Sequence, residues 1–144
     1  MYVINKGPKL KSFEINKLET DFSIKLPDDY REFILLNNGG TLNQNKNTID
    51  IPNMADSPTD AQVLFGIGRE VASSNISWNI ELIRDYGENT NLVPFACDSG
   101  GGLFCLMASN NNYEVVYYDI NSPDKIIYPI ANGFSEFLKM IRSF

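Results

Sequence analysis

A chain of 144 residues with 43% hydrophobic and 12% aromatic residues can bury a full core without help from disulfides or metals. Twelve Lys and Arg against eighteen Asp and Glu leave a net charge of −6, which works against binding a phosphate backbone and makes a basic partner more fitting than a nucleic acid. Two cysteines and no histidine exclude the disulfide framework of a small secreted protein and the common structural zinc sites.

No apolar run reaches the length of a membrane span, and Met1 to Pro8 lacks the long apolar stretch of a secretory signal, so a cytoplasmic protein with no membrane partner is expected. Ser12 is placed to cap a first helix over Ser12 to Phe22, in which Ile15, Leu18 and Phe22 recur at spacings of three and four. Pro27 suits the first position of a second helix, Asp28 and Asp29 complement its dipole, and Gly39 stops it. Tyr30, Phe33, Ile34 and Asn37 then share one face.

After Gly39-Gly40 the pattern shortens to β-like pieces, Thr41-Leu42 and Thr48 to Ile51, with Pro52 limiting the second to an edge. Asn53 to Asp60 reads as a loop before a strand at Val63 to Phe65. Ile76, Ile80 and Ile83 form a third helical stripe that Gly87 is placed to end, with Glu81, Arg84, Asp85 and Glu88 mainly on the other face.

Three strands are expected from Val93 to Cys97, Leu103 to Ala108 and Tyr113 to Asp119, joined by turns at Asp98 to Gly101 and Ser109 to Asn112. The middle one has no polar residue on either face and should be the most buried segment. Ile126 to Tyr128 makes a last strand that Pro129 terminates, and Asn132 is placed to cap a final helix with Phe134, Phe137, Leu138 and Ile141 on one face.

Several blocks in this order resemble the SUKH superfamily, also called the Smi/Knr family. They are Leu26-Pro27-Asp28-Asp29-Tyr30 with Phe33 and Asn38-Gly39-Gly40; Phe65-Gly66-Ile67-Gly68; Val93 to Asp98 with Gly100-Gly101; Val115 to Asp119; and Phe134-Ser135-Glu136-Phe137-Leu138. The resemblance runs from about Ile15 to Ile141. Asn132-Gly133 and Gly102 depart from residues frequent in the family, which weakens any role for those side chains.

The resemblance implies an α+β fold: a single domain over 1–144, with a curved, mainly antiparallel sheet packed against helices and used as a binding scaffold and not as an enzyme. Bacterial members of the family are immunity proteins that neutralise toxins, often nucleases, whereas fungal members are linked to glucan synthesis and cell-wall regulation. Both roles, and a small hydrolase as a remote third, are carried forward.

The chemistry-bearing residues are read against their plainer roles. Gly66 and Gly68 lack the third glycine and the acidic partner of a dinucleotide loop, so no cofactor is expected. Cys97, beside Asp98 and Ser99, has no histidine to activate it.

Centred on Gly101, the hairpin would set Cys97 opposite Cys105, either as a cross-strand disulfide or as two buried free thiols. No carboxylate run has calcium-loop spacing, so no metal is expected. Glu81, Asp85 and Glu88 form one candidate anionic patch for a basic partner; Asp28, Asp29 and Glu32 form a second. Asp98 and Asp119 sit near strand ends, where they can border a cleft. Each set also reads as an ordinary solvated face or a helix-dipole complement. Exposed tyrosines and Trp78 are candidate anchors, with Trp78 equally fit for a core.

Overall fold

A computed structural model describes residues 3–86, 91–108 and 113–144. The architecture is α+β, in chain order β1 (Val3–Ile4), α1 (Ser12–Phe22), α2 (Asp28–Leu36), β2 (Gly40–Leu42), β3 (Thr48–Ile49), β4 (Thr59–Asp60), β5 (Val63–Leu64), a 3-10 turn (Ala72–Ser74), α3 (Ile76–Asp85), β6 (Leu92–Cys97), β7 (Leu103–Met107), β8 (Val115–Tyr118), β9 (Ile127–Ala131) and α4 (Phe134–Met140). Seven strands form one antiparallel sheet ordered β1-β2-β5-β6-β7-β8-β9, and β3 pairs with β4 in a separate ribbon.

Helix α1 has the expected bounds but a different start. Lys11 is the N-cap, and Glu14 reaches back so that its carboxylate accepts the Lys11 N–H at 3.1 Å; Ser12 is already inside the helix. Pro27 likewise stands one residue earlier than expected, as the extended N-cap of α2. At the far end of that helix Gly39 has φ +72, a left-handed conformation that glycine adopts without a Cβ penalty.

The core gathers on both faces of the sheet. Phe95 of β6 meets Tyr30 of α2 and Phe134 and Phe137 of α4, with ring centroids 5.1–5.8 Å apart. These tilted and edge-to-face contacts are the arrangement that aromatic quadrupoles favour. Phe104 of β7 also contacts Phe137, so by strand alternation Leu103 and Cys105 point to the opposite face, where α3 lies. Coverage on both faces explains why Leu103 to Leu106 are buried, although β6 and β8 are buried as completely, so β7 is not uniquely so.

Four further expectations are corrected. The stretch read as a loop before Val63 contains β4, because Thr48 and Ile49 pair with Asp60 and Thr59. Pro129 lies inside β9, pairing with Val116, and does not end it; β9 is the sheet's edge, where a missing N–H costs no ladder bond. The N-cap of α4 is Gly133 and not Asn132, and the capping acceptor comes from α2: the Asp29 carboxylate accepts the Ser135 N–H at 3.0 Å and its hydroxyl at 2.8 Å.

The fourth concerns the thiols. The hairpin is centred on Gly100 and not on Gly101, so Cys97 opposes Leu103, and a bulge between Pro94 and Ala96 shifts the register once more, so that Cys105 opposes Pro94. Both cysteines are free. The expected turn at Ser109 to Asn112, the helix stop at Gly87 and the candidate residue Glu88 lie outside the described residues.

Candidate interaction surface

Helix α3 is held at its start by side-chain amides. The Asn75 carbonyl oxygen accepts the Arg69 N–H at 2.7 Å, and Asn79, itself buried, donates to the carbonyls of Ser73 and Asn75 at 3.1 and 2.9 Å. The Gly66 carbonyl accepts the Ile76 N–H, which ties this start to the end of β5. Ile76, Ile80 and Ile83 face inward and are fully buried.

Spacing then decides what the outer face carries. Trp78, Leu82 and Tyr86 recur at intervals of four and line one side of a groove of about 280 Å³, with Cys97 and Leu103 from the sheet and Ile120 after β8 on the other. Trp78 and Tyr86 remain 42% and 52% exposed. Trp78 is therefore a surface aromatic and not part of the core.

Glu81 and Asp85 are exposed and lie next to this stripe. The cation expected beside them is turned away: Arg84 donates to the Phe22 carbonyl at 2.7 Å, and its guanidinium lies 5.4 Å from the Phe22 ring centroid. The outer face of α3 consequently presents two carboxylates and two aromatic rings. Lys125, from the turn before β9, places its ammonium 5.5 Å from the Tyr86 ring centroid.

The remaining candidates are dispersed. Asp28 and Glu32 are exposed on α2, while Asp29 is engaged in capping α4. Asp119 is half-buried and shapes its turn through the backbone, its N–H donating to the Ile126 carbonyl and its carbonyl accepting from Ser122. Asp98 is buried and saturated: its carboxylate accepts from the N–H groups of Gly100 and Gly102 at 3.0 and 2.7 Å, from the Thr59 hydroxyl at 2.8 Å and from the Tyr117 hydroxyl. It binds the β6–β7 hairpin to the β3–β4 ribbon.

Neither thiol is primed as a nucleophile. Burial, reinforced by the negative charge of Asp98, pushes Cys97 up to about 11, and full burial raises Cys105 further. Among the described residues no three or more Cys, Asp or Glu side chains are grouped to hold a metal ion, and no helix is long and apolar enough to cross a membrane.

Leu82 escaped the sequence reading, which reaches Tyr86 only as one of the exposed tyrosines. Their spacing from Trp78 was the available signal, but nothing in the sequence said that this stripe would border a groove formed by β6, β7 and the turn after β8.

Residues 9–140 match the family described as SMI1 / KNR4 family (SUKH-1). The chain is also 26% identical over 147 residues to the SPbeta prophage-derived uncharacterized protein YokK of Bacillus subtilis (strain 168), an alignment covering 94% of this chain and 73% of that protein.

Proposed function

We propose that this chain, which belongs to the SMI1/KNR4 family (SUKH-1), is a non-catalytic, cytoplasmic immunity protein that binds and neutralises a basic toxin domain such as a nuclease. The observation that carries this reading is the outer face of α3, where Trp78 and Tyr86 stand exposed beside Glu81 and Asp85 over an apolar groove. Exposed aromatics ringed by charge are the composition in which binding energy concentrates, and carboxylates there steer a basic partner to its encounter.

The prophage-derived relative is in keeping with a role carried on mobile genetic elements. A catalytic role is disfavoured by the state of the reactive groups: Asp98 has its carboxylate occupied by four donors, and the Cys97 thiol stays protonated at neutral pH.

Co-expression tests the reading. Cells producing a candidate toxin domain, taken from a gene found beside this one, should survive when the intact protein is present and lose that protection with Glu81→Lys and Asp85→Lys combined. Survival that is absent with the wild type, while the protein co-purifies with wall-synthesis proteins, would replace immunity with regulation.

A further inference from the structure

We propose that Tyr86 is the platform for an arginine side chain of the basic partner, and that Lys125 occupies this platform while the protein is unbound. The inference rests on reading the α3 face as the partner surface, and it names the chemistry which that surface selects.

Tyr86 closes α3 as its C-cap and is half exposed, yet its ring face is not bare. The Lys125 ammonium sits 5.5 Å from the ring centroid, within the range where a ring quadrupole attracts a cation. Backbone geometry delivers it there: Lys125 has φ +47, and its N–H donates to the Ser122 carbonyl at 3.1 Å.

Asp119 and Asp124 lie in the same turn as Lys125, and Asp85 directly precedes Tyr86, yet among the described residues Lys125 makes no ion pair. The position over Tyr86 is thus one that a cation occupies in the unbound chain, at the end of a helix face that also carries the exposed carboxylates of Glu81 and Asp85.

A partner's guanidinium suits the same place better than the resident ammonium. It is planar and more weakly hydrated, so it stacks on the ring while its fork reaches carboxylates such as Asp85. The groove beside Tyr86, lined by Leu82, Leu103 and Ile120, then takes an apolar residue flanking that arginine. The occupant is an arginine next to a leucine-sized side chain on an exposed segment of the partner.

This arrangement fixes the sign of one substitution. If Lys125 is a competitor, Lys125→Met removes both the occupant and a like charge, and binding tightens; if Lys125 were a contact residue, binding would weaken. A surface cation–π contact of ordinary strength corresponds to roughly two- to five-fold in affinity.

The test uses the intact chain and a defined probe: an acetylated, amidated tetrapeptide of alternating leucine and arginine, with a citrulline version as its uncharged isostere. Trp78 is the single tryptophan and lines the same groove, so its emission reports occupancy. The arginine peptide should bind Lys125→Met roughly two- to five-fold more tightly than wild type, Tyr86→Leu should bind weakly, and the citrulline peptide should bind weakly throughout.

Equal or weaker binding to Lys125→Met, equal binding of the citrulline peptide, or no response to millimolar peptide would each overturn the platform. Because the peptide is read without any toxin, the two proposals fail separately. Peptide binding as expected without neutralisation retains the platform and removes immunity; neutralisation indifferent to Tyr86 and Lys125 does the reverse.

Discussion

At the scale of single residues, Asp98 shows how one carboxylate can fix a turn and join two sheets. Four donors converge on it from Thr59, Gly100, Gly102 and Tyr117, and removing their shared acceptor leaves buried donors unmatched. Asp98→Ala should therefore cost about 2–4 kcal/mol of stability, measured by urea unfolding. Gly102→Ala should be similarly harmful, since a Cβ there would overlap the Tyr117 hydroxyl.

Cys97 gives a prediction with a defined pH sense. Its folded-state pKa, about 11, lies above the ordinary thiol value of 9.0, so the folded chain holds its proton where the unfolded chain has lost it. The stability contributed by the neutral thiol is complete below pH 9 and declines as pH rises towards 11. Iodoacetamide labelling followed by mass spectrometry should show Cys97 slow at neutral pH and accelerating towards that range, with Cys105 protected until unfolding.

Elements were legible where periodicity and end signals agreed. The bounds of α1, the faces of α2 and α4 and the hairpin strands β6 and β7 all followed from spacings that burial later explains. What escaped depended on partners distant in the chain. Strand β4 is defined by pairing with β3, β1 is two residues laid on β2, and Pro129 is tolerated because β9 is an edge. The α4 cap is the clearest case, since its acceptor, Asp29, lies 106 residues from Ser135. Asp29→Ala should cost about 1–2 kcal/mol, read as a lowered urea midpoint with an unchanged slope.

Across the whole molecule, the sequence blocks that resembled the family turn out to meet in space. Asn38 is buried and accepts the Ile67 N–H at 2.7 Å while donating to the Pro8 and Ile67 carbonyls, each at 3.0 Å. A Cβ on Gly66 would collide with Asn38, so the Asn38-Gly39-Gly40 and Phe65-Gly66-Ile67-Gly68 blocks are two halves of one junction. Such residues report the scaffold and say little about the partner. The candidate surface was legible only in part, as the acidic pair Glu81 and Asp85 and the single tryptophan, because a groove belongs to the tertiary arrangement and not to any one segment.

The most direct test of the α3 face is calorimetric titration of a candidate toxin domain, taken from a gene found beside this one, into wild-type protein and into the Glu81→Lys, Asp85→Lys double variant. Submicromolar binding to the wild type, weakened about ten-fold or more by the reversal, is the predicted result. Tight binding untouched by the reversal, or none to either protein, would contradict it.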